Sequence, residues 1–383
     1  MKNLIQQLKS AEQVAAIQSY FGVVNASQVN GISNEFETNR KGDKGHKFKS
    51  YVVKNKFWYW LFYIGTALGD EPFYASFIPF WFWNVDGAVG RRVVLVWSVV
   101  MYIGQGIKDV VQWPRPGAPV IRLHDKWALE YGMPSTHAMV GVSIPFSVIL
   151  YTMNRYVYNV PLCFLLALTW CTIICLSRLY LGMHTVLDVI VGLLLTVVLM
   201  IPLVPVVDHL DHYLMTNPTS PLILLVSSIV IIVYYPNSGK WTPTRGDTTM
   251  VISVCVGILI GSWLNYQTGE LSPSELTPPY PIMWPSFLMV GCLILRSFIG
   301  YIFIALIKTY GEKLCFSFMC ALLRQDEINL KQLAHSLQNK HKTIAELASK
   351  YIICSLIGLS ITYNLPQLFK FLRIERPTFF TEI

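Results

Sequence analysis

Long apolar runs, separated by shorter polar segments, recur along the chain from about residue 57 onward. A helix that crosses a bilayer needs about 20 predominantly apolar residues, so this pattern predicts membrane-spanning helices. The candidate spans are residues 57–83, 92–108, 136–153, 159–178, 184–206, 221–235, 249–266, 282–307 and 348–370. Because several of them are short, we expect roughly eight to ten crossings.

Two polar stretches interrupt the pattern. In the first, residues 1–56, the apolar positions within 4–17 predict a short amphipathic surface helix, and the basic tract at 40–56 is interpreted as a partly disordered tether. The second, a polar insertion at about 308–347, predicts an amphipathic helix over 321–338.

Composition agrees with a membrane protein. Of the 383 residues, 53% are hydrophobic and only 14% are charged, whereas soluble domains carry about 25% charged residues. We therefore predict an all-α fold, a polytopic transmembrane helical bundle.

Charge and cysteine usage exclude other classes. The net charge of +8 is dispersed over loops without zinc-finger spacing or a recognition helix, so it favours membrane orientation over nucleic-acid binding. The eight cysteines lie mostly inside apolar runs, which is typical of buried thiols and not of disulfides or metal ligands. We also expect no cleavable signal peptide, because no charged segment followed by a short apolar stretch opens the chain.

Three polar clusters stand at the ends of candidate spans. They are Lys108 with Arg115-Pro116, then Pro134-Ser135-Thr136-His137, and then Ser177-Arg178 with His184 and Asp188. Short connections join the third, fourth and fifth spans, so all three clusters are expected on one side of the membrane.

The residue types in these clusters predict a phosphate site beside lipid. Lys108, Arg115 and Arg178 supply three cations, and Ser135 lies near the amino end of a helix, where unsatisfied N–H groups favour an anion. The clusters contain no carboxylate set suited to magnesium, so we expect no metal and no cofactor, with these cations neutralising transition-state charge.

The two histidines fit complementary roles at a phosphoester. His184 and Asp188 are four residues apart, which places them on one helical face if the segment is helical. Asp188 then holds one imidazole nitrogen of His184 and leaves the other free to attack phosphorus. His137, on a different span, is predicted to protonate the leaving oxygen.

Together the clusters resemble the signature motifs of the type 2 phosphatidic acid phosphatase (PAP2) superfamily, which includes lipid phosphate phosphatases, glucose-6-phosphatase and vanadium haloperoxidases. The first motif, Lys, six residues, Arg-Pro, and the third, Ser-Arg, five residues, His, three residues, Asp, are matched completely. In the second, Thr136 stands where most members carry glycine. The resemblance implies a PAP2-type catalytic core at 57–210, after the leader at 1–56 and before additional transmembrane helices at 211–383.

Longer stretches are similar to the sphingosine-1-phosphate phosphatase branch of that superfamily. They include YGMPSTHAM, CLSRLYLGMHTVLDV, GRRVVLVWSVVMYIGQGIKDVVQWPRP and TPTRGDTT, and the similarity covers about residues 50–266 and, more faintly, the rest. It implies hydrolysis of sphingosine 1-phosphate and dihydrosphingosine 1-phosphate through a phosphohistidine, in the endoplasmic reticulum membrane. Ser135 and Thr136 then bind the substrate phosphate with the three cations, and the partners are this lipid substrate and membrane lipids, not nucleic acid.

Two other functions stay open at this point. One is a broad-specificity glycerolipid phosphate phosphatase, and the other is a non-catalytic lipid transporter or scaffold on the same fold. The second is disfavoured because the chain retains every basic and acidic residue of the three motifs.

Three charged residues inside apolar runs have no place in this chemistry. They are Asp70 and Glu71 in the first run and Arg296 in the eighth. They could form an ion pair within the bundle. Alternatively, Glu71 is a candidate to bind the ammonium of the sphingoid base.

The side of the membrane follows from counting crossings. Two spans precede Lys108, so the leader and the phosphate site are expected on the same side, which the basic residues of the leader would make cytosolic. The family resemblance implies a lumenal site instead. An additional crossing, made by a break at 69–72, or a lumenal leader would reconcile the two, and Asn25-Ala26-Ser27 is a glycosylation acceptor only in the lumen.

Overall fold

A computed structural model of this chain describes residues 2–25, 51–124, 129–236, 238–274, 276–333 and 339–382. The described α-helices are α1 (Lys2–Leu8), α2 (Ala11–Tyr20), α3 (Lys56–Ala67), α4 (Glu71–Asn84), α5 (Gly87–Val111), α6 (Thr136–Thr152), α7 (Val160–Tyr180), α8 (Val186–Thr216), α9 (Ser220–Val233), α10 (Thr244–Gln267), α11 (Phe287–Leu322), α12 (Glu327–Gln332), α13 (Lys340–Leu359) and α14 (Leu365–Phe371). A π-helical turn (Ser360–Asn364) joins α13 to α14, and a 3₁₀ turn (Phe379–Thr381) follows α14. The strands are β1 (Val23–Asn25), β2 (Tyr51–Val53), β3 (Tyr156–Val157) and β4 (Tyr280–Pro281).

The all-α transmembrane prediction is confirmed. Within the described residues, six helical segments are long and apolar enough to cross a membrane, namely α5, α7, α8, α10, α11 and the continuous segment from α13 through α14. Two shorter apolar helices, α6 and α9, bring the described number to eight, and α3 with α4 covers the remaining predicted run.

The first apolar run, residues 57–83, is not one continuous helix, and its break coincides with the one that the sequence suggested at 69–72. It is divided into α3 and α4 by a link at 68–70. Pro72 favours the break, because proline has no N–H to donate to a carbonyl of the preceding turn and is well accommodated in the first turn of a new helix. The break lies at the end of the bundle that holds the phosphate-site candidates, where a Cβ on Gly69 would approach the His137 ring to 2.7 Å.

Helix α5 forms the centre of the bundle. Most of its residues are buried, among them Val93, Val96 and Val100, and it packs against α4, α6, α8 and α10. By contrast, α7, α8 and α11 expose large apolar side chains on their outer surfaces. Exposed apolar surface of this extent is what a lipid-facing helix requires.

The leader docks on the bundle. The predicted amphipathic segment consists of two helices, α1 and α2, and Ser10 caps the second through a hydrogen bond from the Gln13 N–H. Gln18 of α2 donates to the carbonyls of Ile121 (2.7 Å) and Tyr180 (2.9 Å). Most of the predicted basic tether at 40–56 lies outside the described residues.

The polar insertion differs from its prediction. Helix α11 continues beyond 307 to Leu322, and the helix expected over 321–338 is wrong because the chain turns at Arg324, which has a positive φ of 53°. Asp326 then starts α12 by accepting a hydrogen bond from the Ile328 N–H. Residues 334–338 lie outside the described part of the chain.

Ion pairs fasten the bundle at the other end of α5. Arg91 forms a two-point contact with Asp211 of α8, with N–O distances of 2.9 and 3.2 Å. Asp86 caps α5 and also accepts hydrogen bonds from Arg155 and Tyr156, each at 2.6 Å. This end carries none of the predicted phosphate-site residues, so its ionic contacts are structural.

Candidate active site

The three sequence clusters meet at one end of the bundle. Lys108 lies in the last turn of α5 and Arg178 in the last turn of α7, while Ser135 is the N-cap of α6. His184 lies in the turn between α7 and α8, and Asp188 lies in the first turn of α8. Each side chain therefore stands where a helix begins or ends, which lets residues from separate helices converge.

Lys108 is held inside the site by two side chains. Its ammonium donates to Thr136 Oγ1 at 3.0 Å and to Glu130 Oε2 at 2.8 Å, and only 1% of the residue is exposed. The threonine that replaces the family glycine thus supplies an acceptor to the lysine of the first motif.

Arg115 is positioned by backbone carbonyls. Its Nε donates to the Glu130 carbonyl at 3.0 Å, and its Nη1 donates to the Met183 carbonyl at 2.8 Å. The same Nη1 lies 3.4 Å from Nε2 of His184. A guanidinium fixed in this way is aimed at the nitrogen that we predict to attack.

Ser135 presents a hydroxyl at the start of α6. Its Oγ is buried and makes no hydrogen bond with any described residue, while its backbone N–H donates to the Asp188 carbonyl at 3.1 Å. A buried hydroxyl without a partner costs free energy, so its position at a helix amino terminus suits an anionic ligand.

His184 and Asp188 face each other, but not on a helix. Helix α8 starts only at Val186, so the predicted helical face is wrong, and Asp188 instead forms a capping box with Thr185. The Asp188 Oδ2 atom accepts the Thr185 N–H at 2.7 Å and lies 3.8 Å from His184 Nδ1. That separation is too long for a direct hydrogen bond and short enough for an electrostatic contact.

Burial and charge hold the His184 imidazole neutral. Burial, followed by the positive charges of Arg115, Arg178 and Lys108, lowers the pKa of His184 well below its usual value of 6.5. A neutral imidazole has an unprotonated nitrogen, so His184 is in the correct state for a nucleophile near pH 7.

Asp70 is a contributor to the site that the sequence did not reveal. Its Oδ1 lies 2.8 Å from Nε2 of His137, across the break between α3 and α4. In the sequence, Asp70 stands out only as a charge in an apolar run, and an ion pair with Arg296 is one of its expected contacts. That ion pair is wrong, because Arg296 donates to Asn84 Oδ1 (3.1 Å) and to the Ile374 carbonyl (2.8 Å).

Glu130 is the second residue that sequence reasoning missed. It is buried between Lys108 and Arg115, with Arg115 Nη2 3.6 Å from its carboxylate. Burial acts to raise the pKa of Glu130, but Lys108 and Arg115 outweigh it and the pKa lies below its usual range. The only available signal was an acidic residue five positions before Ser135.

Glu71 is not brought into contact with these residues. It is exposed at the first position of α4 and forms no hydrogen bond or salt bridge with any described residue. Its place beside Asp70 nevertheless puts it on the His137 side of the site. Within the described residues, no group of three His, Cys, Asp or Glu side chains could hold a metal ion.

Comparison with known proteins gives a family match and several relatives. The PAP2 superfamily profile matches residues 90–210. The chain is 38% identical over 336 residues to sphingosine-1-phosphate phosphatase 1 of Rattus norvegicus, which covers 87% of this chain and 76% of the relative. It is 35% identical over 357 residues to sphingosine-1-phosphate phosphatase 2 of Homo sapiens, covering 92% and 88%.

A more distant relative is a dihydrosphingosine 1-phosphate phosphatase of Schizosaccharomyces pombe. It is 27% identical over 265 residues, which are 67% of this chain and 62% of the relative. No solved structure matches the chain.

Proposed function

Because this chain belongs to the sphingosine-1-phosphate phosphatases of the PAP2 superfamily, we propose that it hydrolyses sphingosine 1-phosphate, dihydrosphingosine 1-phosphate and related sphingoid-base 1-phosphates to the base and inorganic phosphate. The chain is a multi-pass membrane lipid phosphatase, and hence a phosphoric monoester hydrolase. The observation that carries the phosphatase proposal is the convergence of His184 with Lys108, Arg115 and Arg178, whose side chains are largely buried, at the end of an apolar bundle.

In the first step, Nε2 of His184 attacks phosphorus and forms the P–N bond while the bond between phosphorus and the alkyl oxygen breaks. His137 gives its proton to that oxygen, and the sphingoid base leaves as the alcohol. Lys108, Arg115 and Arg178 bind the non-bridging oxygens, on which negative charge accumulates, and Ser135 donates its hydroxyl to one of them.

In the second step, water attacks the phosphohistidine. His137, now without its proton, accepts one from the water, the P–N bond breaks and inorganic phosphate leaves. Asp188 stabilises the positive charge that His184 carries in the intermediate, from its place 3.8 Å from Nδ1.

Two carboxylates act through neighbouring residues in this proposal. Asp70 orients His137 through the 2.8 Å contact between Oδ1 and Nε2. Glu130 keeps Lys108 and Arg115 at a fixed separation before the substrate arrives. Both are positioning residues, because neither needs to touch the reacting atoms.

Specificity for a sphingoid base is proposed to involve Glu71. This substrate carries an ammonium near its phosphate, which phosphatidic acid lacks. Glu71 stands next to Asp70 and is exposed to an incoming headgroup. We also propose an endoplasmic reticulum location with the site facing the lumen, as the family resemblance implies.

Phosphate release by the purified chain in neutral lipid vesicles tests the function. We expect sphingosine 1-phosphate to be hydrolysed with a higher kcat/KM than lysophosphatidic acid, in the presence of excess chelator, and vanadate to inhibit. His184→Ala serves as the inactive control. Equal hydrolysis of both lipids would support a broad glycerolipid phosphatase instead, and restoration of a chelator-inhibited activity by magnesium would refute the metal-free mechanism.

A further inference from the structure

A cavity of about 630 Å³ lies between α10, α11, α12 and α13. Its walls include the TPTRGDTT segment and much of the polar insertion, neither of which takes part in the phosphatase chemistry above. Six lining residues are cationic, against three carboxylates at Asp109, Glu312 and Glu346. The cations are Lys240, Arg245, Lys313, Lys331, Lys342 and Lys350.

Three of the lining lysines are not held in a salt bridge among the described residues. Lys240, Lys313 and Lys350 form no salt bridge with any described residue, and Lys350 lies close enough to Gly246 that a Cβ there would approach its Nζ to 2.7 Å. The Asp109 carboxylate is only partly available to pair with these lysines, because it already accepts hydrogen bonds from Tyr235, Thr242 and Thr244.

Two buried polar atoms on the cavity wall also lack partners. The Ser349 hydroxyl makes no hydrogen bond with a described residue, although Ser349 is only 5% exposed. The Arg245 Nε is likewise unsatisfied, while its Nη2 donates to the Ile232 carbonyl at 3.1 Å and anchors the guanidinium. Buried donors without acceptors cost free energy, and a bound anion would supply the acceptors.

The cavity is separate from the catalytic phosphate site. Its lining includes none of Lys108, Arg115, Ser135, Arg178 or His184, and apart from Asp109 it lies outside the segment that matches the PAP2 profile. It is nevertheless adjacent, because Asp109 follows Lys108 on α5 and the Lys240 ammonium lies 4.6 Å from the ring centroid of Tyr131, which follows Glu130.

We propose that this cavity binds a multiply charged phosphorylated anion, and an inositol polyphosphate headgroup, attached to a lipid or free in solution, is a suitable probe of that chemistry. Its volume falls within the range of pockets that hold small ligands. Three lysines without a salt bridge to a described residue and an anchored guanidinium favour more negative charge than a singly charged headgroup provides.

Binding is tested in a His184→Ala background, so that the probe is not hydrolysed. The full-length chain is presented with phosphatidylcholine vesicles containing phosphatidylinositol 4,5-bisphosphate, or with soluble inositol 1,4,5-trisphosphate. We expect the Lys313→Gln/Lys350→Gln double variant to bind at least tenfold more weakly. Lys240→Gln, from a different wall of the cavity, should also weaken binding.

Two controls locate the bound anion. Lys308→Gln removes one positive charge from an α11 position outside the cavity and should not change binding. Arg178→Gln removes a cation of the proposed catalytic site and should not change binding either. Binding that is lost in Arg178→Gln but retained in the double variant would overturn the proposal, as would no binding of either probe. Binding of the soluble headgroup would assign recognition to the phosphates alone, and binding only to vesicles would assign it to the lipid.

This test is independent of the phosphatase activity. In an otherwise unchanged chain, the double variant should hydrolyse sphingosine 1-phosphate at the parental rate in phosphatidylcholine vesicles, because neither lysine belongs to the catalytic site. Either proposal can therefore fail without the other.

Discussion

Replacing Asp70 with asparagine isolates the contribution of its charge to catalysis. The Asp70–His137 distance of 2.8 Å is typical of a charge-assisted hydrogen bond, and both side chains are largely buried. Such a bond contributes about 1.5 to 3 kcal/mol and a neutral one about 0.5 to 1.5 kcal/mol. Asparagine retains a neutral bond, so the loss is about 1 to 1.5 kcal/mol, which corresponds to roughly 5- to 13-fold in kcat.

The assay compares two substrates and two backgrounds. Asp70→Asn should slow hydrolysis of sphingosine 1-phosphate, whose alkyl oxygen needs a proton to leave, and should change hydrolysis of p-nitrophenyl phosphate much less, because p-nitrophenolate leaves without one. In a His137→Ala background, Asp70→Asn should have no further effect, since its partner is absent. An equal loss on both substrates, or a loss that persists without His137, would refute the assignment and make Asp70 a purely structural residue.

Four other predictions follow from the site. His184→Ala should abolish turnover and any trapped phosphoenzyme, whereas His137→Ala should still allow phosphorylation by a substrate with a good leaving group; the reverse result would exchange the two roles. Burial and then Arg115 lower the pKa of His184, so the acidic limb of the kcat/KM profile should lie below about pH 6.5. In Arg115→Gln this limb should move to higher pH, because a positive charge near His184 is lost. A limb that does not move in the residual activity would contradict this. Glu71→Gln should lower kcat/KM for sphingosine 1-phosphate by roughly tenfold at most, since solvent screens an exposed carboxylate. Hydrolysis of an amine-free phosphate ester of equal chain length should be unaffected. Equal losses on both substrates would mean that Glu71 supports the fold and does not bind the amine. The Asn25 acceptor should be glycosylated if the site is lumenal, so an unchanged gel mobility after glycosidase treatment of the cell-expressed chain would argue for the cytosol.

Glycosylation of the leader reports the side of the active site, because both lie at the same end of the bundle. Gln18 of the leader contacts Ile121 and Tyr180, so the described part of the leader lies at the catalytic end of the bundle. Counting crossings from the sequence had predicted this shared side. The break at 68–70 does not separate the leader from the catalytic residues, because the link itself lies against His137.

The sequence by itself determined most of the membrane helices and identified most residues of the proposed phosphate site. Runs of apolar residues are sufficient to predict membrane helices, because the bilayer imposes their length and requires their backbones to be hydrogen-bonded internally. The residues of the three motifs could also be named in advance, because their chemical types and spacing are local properties. His184, Asp188 and the three cations were found in this way, and all of them meet at one end of the bundle.

Only the tertiary structure decided which further carboxylates contact the residues of that site. Glu130 reaches Lys108 across 22 residues of sequence, and Asp70 reaches His137 across 67. A lone acidic residue has no periodicity or spacing that identifies its partner, so Asp70 was compared with Arg296 although the two lie in different parts of the bundle. The helical relation between His184 and Asp188 failed for a related reason, because Thr185 caps α8 and starts the helix after His184. The packing of all the helices together decides where a helix begins and which buried charges pair. Burial makes an unpaired charge costly only once the neighbouring helices are in place.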